Sequence, residues 1–166
     1  GPNFTLARDP GLTGIAQQLR PESQGSIHIK SANAATPPAV RFNFLSAELD
    51  KQVTLAAVKV TRKIVEAPAL ETFVGVETAP GESLRGDDEI LDWVMQTAET
   101  TYHPVGTCKM GSDPMAVVDD RLRVHGLDGL RIADASIMPT LTSGNTNAPS
   151  IMIGEKASMM LLEDAT

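Results

Sequence analysis

Alternation of apolar and polar residues predicts two β-strands in the first third of the chain. Residues 26–30 alternate, and so do residues 40–44, with a polar, proline-containing connection between them. This pattern is typical of an antiparallel pair, and His28 falls on its polar side. Residues 1–24 are punctuated by glycine and proline without a sustained period, so we expect a loop or a single strand there.

Helical spacing predicts two helices after the strands. In the first, Asp50 is the expected N-cap, and Val53, Ala57, Val60 and Ile64 recur on one face until Pro68 ends the run. We expect this helix to lie on the sheet. The second is predicted to begin at Asp87, because acidic residues in a first turn complement the helix dipole. Its apolar face contains Ile90, Val94 and Ala98, and residues 69–86 form a linker between the two helices.

The last third of the chain has shorter predicted elements and one long one. Residues 130–133 are predicted to form a short buried strand whose end presents Asp134. Pro149 suits the first position of a helix, with Asn147 as its cap. The run from there to Leu162 is apolar on almost every face, which predicts a buried helix.

Composition and charge narrow the class of protein. The chain has 166 residues, of which 42% are hydrophobic and 21% charged, as in a soluble globular protein with a real core. A net charge of −7 argues against a nucleic-acid partner. The single cysteine, Cys108, cannot form an internal disulfide, and with the three histidines it does not give metal-ligand spacing. We therefore predict no metal site. A single cysteine fits a reducing compartment, and we expect a cytoplasmic location.

Three polar residues, His103, Asp134 and Asn145, stand where glycine or proline interrupts apolar segments. Loops at the edge of a rigid core often carry binding and catalytic residues. His103 precedes Pro104, so its backbone should be extended and stiff, and an imidazole can exchange a proton with an alcohol near neutral pH. Asn145 follows Gly144 and offers both a donor and an acceptor. Taken singly, each residue favours a plainer role, His103 as a capping or packing residue and Asn145 as an ordinary turn residue. Asp134, the third of these polar residues, follows the short apolar run at residues 130–133.

The helix predicted after Asn145 adds a further feature. Its first N–H groups lack backbone partners and carry a partial positive charge, so they can hold an anion or the electron-rich edge of a cofactor ring. The alternative is a plain core helix with a conventional cap.

Three motifs carry a resemblance to a known family. They are His-Pro-Val-Gly-Thr-Cys-Lys-Met-Gly at 103–111, Leu-Arg-Val-His-Gly-Leu-Asp-Gly-Leu-Arg-Ile-Ala-Asp-Ala-Ser-Ile-Met-Pro at 122–139, and Gly-Asn-Thr-Asn-Ala-Pro at 144–149. In this order they resemble the C-terminal signature of the glucose-methanol-choline flavoprotein oxidoreductases, most closely the choline and alcohol dehydrogenase branch. Residues 19–25 and 43–46 also fit.

The resemblance implies a fold, a cofactor and a set of site residues. The fold is α+β: an antiparallel sheet backed by helices in a substrate-binding part, residues 1–99, and a segment that completes the flavin domain, residues 100–166. The cofactor is FAD and the substrate a primary alcohol. His103 and Asn145 match the catalytic pair. The positions matching cofactor contacts are Asp134, Ala135, Asn147, Ala148 and Pro149.

One family feature has no counterpart in the sequence. The dinucleotide-binding Gly-x-Gly-x-x-Gly turn does not occur, so we expect the chain to be the C-terminal piece of a longer enzyme, with the missing N-terminal flavin domain as its partner and with FAD absent from the chain alone. Two alternatives stay open. The chain by itself could be catalytically silent and self-associate through the surface that faces the flavin domain, or the scaffold could serve a non-redox lyase with His103 as base.

Overall fold

The sheet in the computed structural model, which describes residues 9–165, is a hairpin of two short antiparallel strands. β1 spans Ser26–His28 and β2 spans Ala39–Arg41, with Ile27 opposite Val40. The predicted antiparallel pair is confirmed, but the strands are shorter than the alternating segments. Asn43 and Leu45 have positive φ values of 56° and 53°, which end the extended backbone. All six strand residues are exposed.

The first α-helix begins earlier than the sequence predicts. α1 spans Glu48–Val65 with Ala47 at the N-cap position. The expectation that Asp50 caps the helix is wrong, because Asp50 lies inside the first turn, where its side chain is buried. There it still complements the positive end of the helix dipole.

An ion pair between Arg62 and Glu77 joins the segment between the first two helices to α1. After a 3₁₀ turn at Pro68–Leu70, the chain reaches Glu77, whose carboxylate accepts from Arg62 Nη2 at 2.9 Å and Arg62 Nε at 3.1 Å. Arg62 Nη2 also donates to the Gly81 carbonyl at 3.2 Å. This forked geometry orders a glycine- and proline-rich stretch that was predicted only as a linker.

The second helix matches its prediction closely. α2 spans Asp87–Thr97 and buries Ile90 and Val94. The Glu89 carboxylate accepts from the Gly86 N–H at 3.2 Å, which satisfies a backbone donor ahead of the helix. α2 packs against α1, and Lys59 pairs with Asp87 at 2.6 Å.

The main hydrophobic core of the chain lies within its C-terminal part. Its buried members come from loops, from a 3₁₀ turn at Ala135–Ile137 and from the last helix: Val118, Leu122, Ile137, Met138, Ile153 and Ala157. The strand predicted at residues 130–133 is not formed. Arg131 makes one isolated bridge with Arg123, because the backbone enters the 3₁₀ turn after Asp134 before further ladder pairs can form.

The third helix differs from its prediction at both its start and its surface. α3 spans Asn147–Asp164, and Thr146 rather than Asn147 occupies the N-cap position. Only Ile153 and Ala157 are buried. The expected burial is therefore wrong for this chain, because its own core covers one narrow side. At least half of the side chain is exposed at each of Ile151, Met152, Met159, Leu161 and Leu162.

The residues form two compact units. One contains Ala47–Ala98 with residues 9–18, and the other contains Leu19–Ser46 with residues 99–165. The α+β class is confirmed. Residues 9–24 are irregular, whereas residues 1–8 of the predicted N-terminal loop lie outside the described part. The division at residue 99 and the packing of helices on the sheet stay predictions.

Candidate active site

Backbone hydrogen bonds join the first two motifs within the second unit. The Cys108 N–H donates to the Ser136 carbonyl at 3.0 Å, and the Met110 N–H donates to the Ile137 carbonyl at 2.7 Å. We call residues 102–111 the His103 loop. Because Ile137 is a core residue packed with Ile153 of α3, the loop is seated on the same core that holds the helix.

A glycine allows this close seating. Gly106 has φ +85°, and a Cβ at this position would lie 3.3 Å from the Met138 carbonyl oxygen. Any other residue would meet both an unfavourable backbone conformation and a tight contact. Gly106 therefore fixes how closely the His103 loop approaches the Met138 backbone.

His103 itself is held from one side. Its Nδ1 lies 2.9 Å from Oγ1 of Thr146, a hydrogen bond between two residues that are 43 positions apart. The ring is partly buried, and this bond occupies one nitrogen, which leaves Nε2 as the atom for a ligand. Just before it, Tyr102 has φ +60°, an uncommon conformation for a bulky residue. Strained backbone conformations of this kind cluster at functional sites, where they help to orient neighbouring side chains.

Asn145 directly precedes the residue that holds His103. Its side chain is exposed, and the turn before it is tight, since the Gly144 N–H donates to the Thr142 carbonyl at 2.7 Å. The structure thus brings His103 together with the segment that carries Asn145. An imidazole nitrogen and a carboxamide on adjoining segments can together hold and deprotonate a hydroxyl group.

Asp134 and Ala135 lie at the start of the 3₁₀ turn. Oδ1 of Asp134 accepts from the Ser136 N–H at 2.7 Å, so this carboxylate caps the turn. Asp134 is nevertheless exposed, and its other oxygen can accept from a ligand hydroxyl. Ala135 packs against the core.

The start of α3 presents the remaining predicted cofactor contacts. Asn147 and Ala148 are exposed and Pro149 is half-buried. The Thr146 side chain makes no capping bond, so it does not use the first N–H groups of the helix. These donors and the Asp134 carboxylate are the groups that ring acceptors and chain hydroxyls of a flavin require, and the residues therefore fit FAD chemically.

Two features near the site were not predicted from the sequence. Thr146 stands between two asparagines, and a hydroxyl residue just before a helix is a recognisable signal for a cap. Arg20 donates from Nε to Ser143 Oγ at 2.6 Å. The contact between these distant positions carries no local signal.

Charged residues secure the opposite end of α3. Arg131 and Arg121 both donate to the carboxylate of Asp164, with Arg121 Nη2 at 2.7 Å from Oδ1. These two hydrogen bonds, first that from Arg131 and then that from Arg121, lower the pKa of Asp164 below its usual value. The two arginines also offset the unfavourable interaction between the Asp164 carboxylate and the negative end of the α3 dipole.

Residues 9–165 contain neither a candidate metal site nor a candidate membrane span. No group of three His, Cys, Asp or Glu side chains could hold a metal ion. No helix in this range has the length and apolar character needed to cross a membrane.

Comparison with known proteins identifies relatives over most of the chain. Residues 21–154 match the model of the GMC oxidoreductase family. An oxygen-dependent choline dehydrogenase from Cronobacter sakazakii is 52% identical over 138 residues, which are 83% of this chain and 25% of the relative. The chain spans only about a quarter of the curated relatives it matches.

Solved structures give the same result. Pyridoxine 4-oxidase from Mesorbium loti superposes with a TM-score of 0.80 at 33% identity, over 85% of this chain and 28% of that one. An FAD-dependent oxidoreductase from Chaetomium thermophilum gives a TM-score of 0.83 at 28% identity, over 89% of this chain and 26% of that one. The chain belongs to the GMC oxidoreductase family, as its three motifs indicated.

Proposed function

We propose that this chain is the C-terminal part of an FAD-dependent oxidoreductase that oxidises a primary alcohol. The observation that carries the proposal is the hydrogen bond between His103 and Thr146, which sets the imidazole beside the segment of Asn145. Family membership supports the redox class. The relatives named choline dehydrogenases favour a choline-like alcohol.

The two catalytic candidates have complementary roles. His103 accepts the hydroxyl proton at Nε2, and the carboxamide of Asn145 donates to the substrate oxygen and orients it. FAD, when bound, supplies the acceptor for the hydride that leaves the carbinol carbon. Loss of the proton and the hydride converts the alcohol to an aldehyde.

The cofactor contacts follow from the exposed groups. Asp134, with Ala135 beside it, would accept from hydroxyls of the ribityl chain through its free oxygen. Asn147, Ala148 and Pro149 would line the ring with the start of α3. The N-terminal flavin domain of the longer enzyme would supply the dinucleotide-binding turn, and the exposed apolar side of α3 supports contact with such a domain. The proposed location is the cytoplasm.

The test is a substitution in the flavin-loaded full-length enzyme. His103→Ala should lower turnover about a hundredfold or more while the visible flavin band persists. His28→Ala is the matched control, because His28 is exposed in β1 and should leave turnover unchanged. Unchanged turnover in His103→Ala would reject the role of this residue.

The remaining alternatives are separated by two measurements. Anaerobic reduction of the flavin by an alcohol would exclude a non-redox lyase. For the isolated chain, the exposed apolar residues of α3 favour a silent, self-associating state. Light scattering should then report oligomers and a hydrophobic dye should bind, whereas a strict monomer without dye binding would contradict self-association.

A further inference from the structure

The hydroxyl of Thr146 is engaged in an unusual way. A threonine at an N-cap position normally accepts a hydrogen bond from the second or third N–H of its helix. In α3 the Thr146 side chain makes no such bond, and its Oγ1 lies 2.9 Å from His103 Nδ1 instead. The hydroxyl is therefore directed at the imidazole and not at its own helix.

Thr146 is also a rigid support. Only 8% of the residue is exposed, and its carbonyl accepts from both the N–H and the Oγ of Ser150, at 2.9 and 2.7 Å. A β-branched side chain has few χ1 conformations. The position of Oγ1 is thus fixed by the first turn of α3, and the position of the His103 ring follows from it.

We propose that Thr146 is a positioning residue that holds His103 in the tautomer protonated at Nδ1. The inference rests on the proposed function, in which Nε2 accepts the hydroxyl proton. A neutral imidazole with a free pair on Nε2 must carry its hydrogen on Nδ1, and that hydrogen then needs an acceptor. The oxygen of Thr146 is placed to be that acceptor.

The same bond serves the ring after proton transfer. Once Nε2 has taken the substrate proton, both nitrogens are donors, and Nδ1–H still donates to Oγ1. The acceptor need not move during the reaction. In the other tautomer Thr146 would donate to Nδ1 and Nε2 would carry a hydrogen, so Nε2 could not accept the substrate proton.

Kinetics of the flavin-loaded full-length enzyme test the inference. Thr146→Val keeps the shape of the side chain and removes the hydroxyl, and it should lower kcat about tenfold with little change in KM. Thr146→Ser restores a hydroxyl and should recover most of kcat. If Thr146→Val leaves kcat unchanged, or if Thr146→Ser is as impaired as Thr146→Val, the proposal fails.

A double-mutant cycle shows whether Thr146 acts through His103. Thr146→Val should have no further effect on kcat in a His103→Ala background, whereas an equal loss in both backgrounds would overturn the inference. If His103→Ala alone has no effect, the proposed function itself fails. If His103→Ala is impaired but Thr146→Val is not, only the positioning role is lost.

Crystal structures of the full-length variants supply a readout that does not depend on activity. The His103 ring should turn away from its native orientation or become disordered in Thr146→Val and stay in place in Thr146→Ser. An unchanged, well-ordered ring in Thr146→Val would contradict the proposal. The serine variant keeps the test decisive if the valine variant does not fold.

Discussion

Arg20 and Ser143, 123 positions apart, are joined by a hydrogen bond of 2.6 Å from Nε to Oγ. Ser143 stands two residues before Asn145, in the turn that the Gly144 N–H closes on the Thr142 carbonyl. The segment preceding the hairpin therefore helps to hold the turn that carries a catalytic candidate.

Removing the Ser143 hydroxyl should loosen this turn. In Ser143→Ala the loss of one hydrogen bond is worth roughly 0.5–1 kcal/mol, so amide exchange over residues 141–146 should become about two- to fivefold faster. Ser158→Ala is the matched control, because Ser158 bonds to Glu155 within α3. Hydrogen-exchange mass spectrometry measures both. Equal protection of the turn in Ser143→Ala and wild type would show that the bond does not order it.

Two glycine substitutions should change the free energy of unfolding in opposite directions. Gly106→Ala places a Cβ 3.3 Å from the Met138 carbonyl at φ +85° and should destabilise the chain by about 1–2 kcal/mol. Gly154→Ala lies within α3 with no atom within 4 Å of the new Cβ. It should stabilise by up to about 1 kcal/mol. Denaturant unfolding measures both, and the same sign for the two variants would refute this account.

Tyr102 should be a site of stored strain. Its φ is +60° and its side chain is 60% exposed, so Tyr102→Asn should relieve strain with little loss of packing. We expect the free energy of unfolding to rise by about 1 kcal/mol, since asparagine tolerates the left-handed region. Tyr102→Phe keeps the strain and should match wild type in thermal unfolding. A less stable Tyr102→Asn would mean that the ring contributes more than the backbone costs.

Stability should depend on pH through Asp164. Hydrogen bonds from Arg131 and then Arg121 lower its pKa in the folded state, so the carboxylate stabilises the fold above its unfolded pKa of about 4. This contribution is lost as pH falls through the lower folded pKa. Asp164→Asn should therefore destabilise the chain at pH 7, and the difference from wild type should shrink below about pH 4. Asp92→Asn, an exposed change on α2, is the control for unfolding measured across this pH range.

Local chemistry explains what the sequence predicted well. The acidic start at Asp87 and the spacing of Ile90 and Val94 defined α2, because both signals act within one or two turns of helix. The alternation at Ile27 and Val40 likewise identified the hairpin and its direction. The three motifs gave the family from residue identities alone.

Features that lie outside a segment's own pattern explain what the sequence predicted poorly. The burial of α3 was inferred from an apolar run, but burial depends on what covers Met152 or Leu162, and within this chain those positions are exposed. The strand at residues 130–133 failed because the 3₁₀ turn after Asp134 interrupts pairing. The role of Thr146 depends on His103, which lies far from it in sequence, and no periodicity encodes that contact.

The spacing of His103 and Thr146 has a consequence for biosynthesis. Translation from residue 104 to residue 146 takes roughly 2 to 9 seconds at about 5–20 residues per second. During that interval the nascent imidazole has no partner for Nδ1. The contact between the two side chains can therefore form only late in synthesis, and a chain that ends before residue 146 contains the histidine without the hydroxyl proposed to position it.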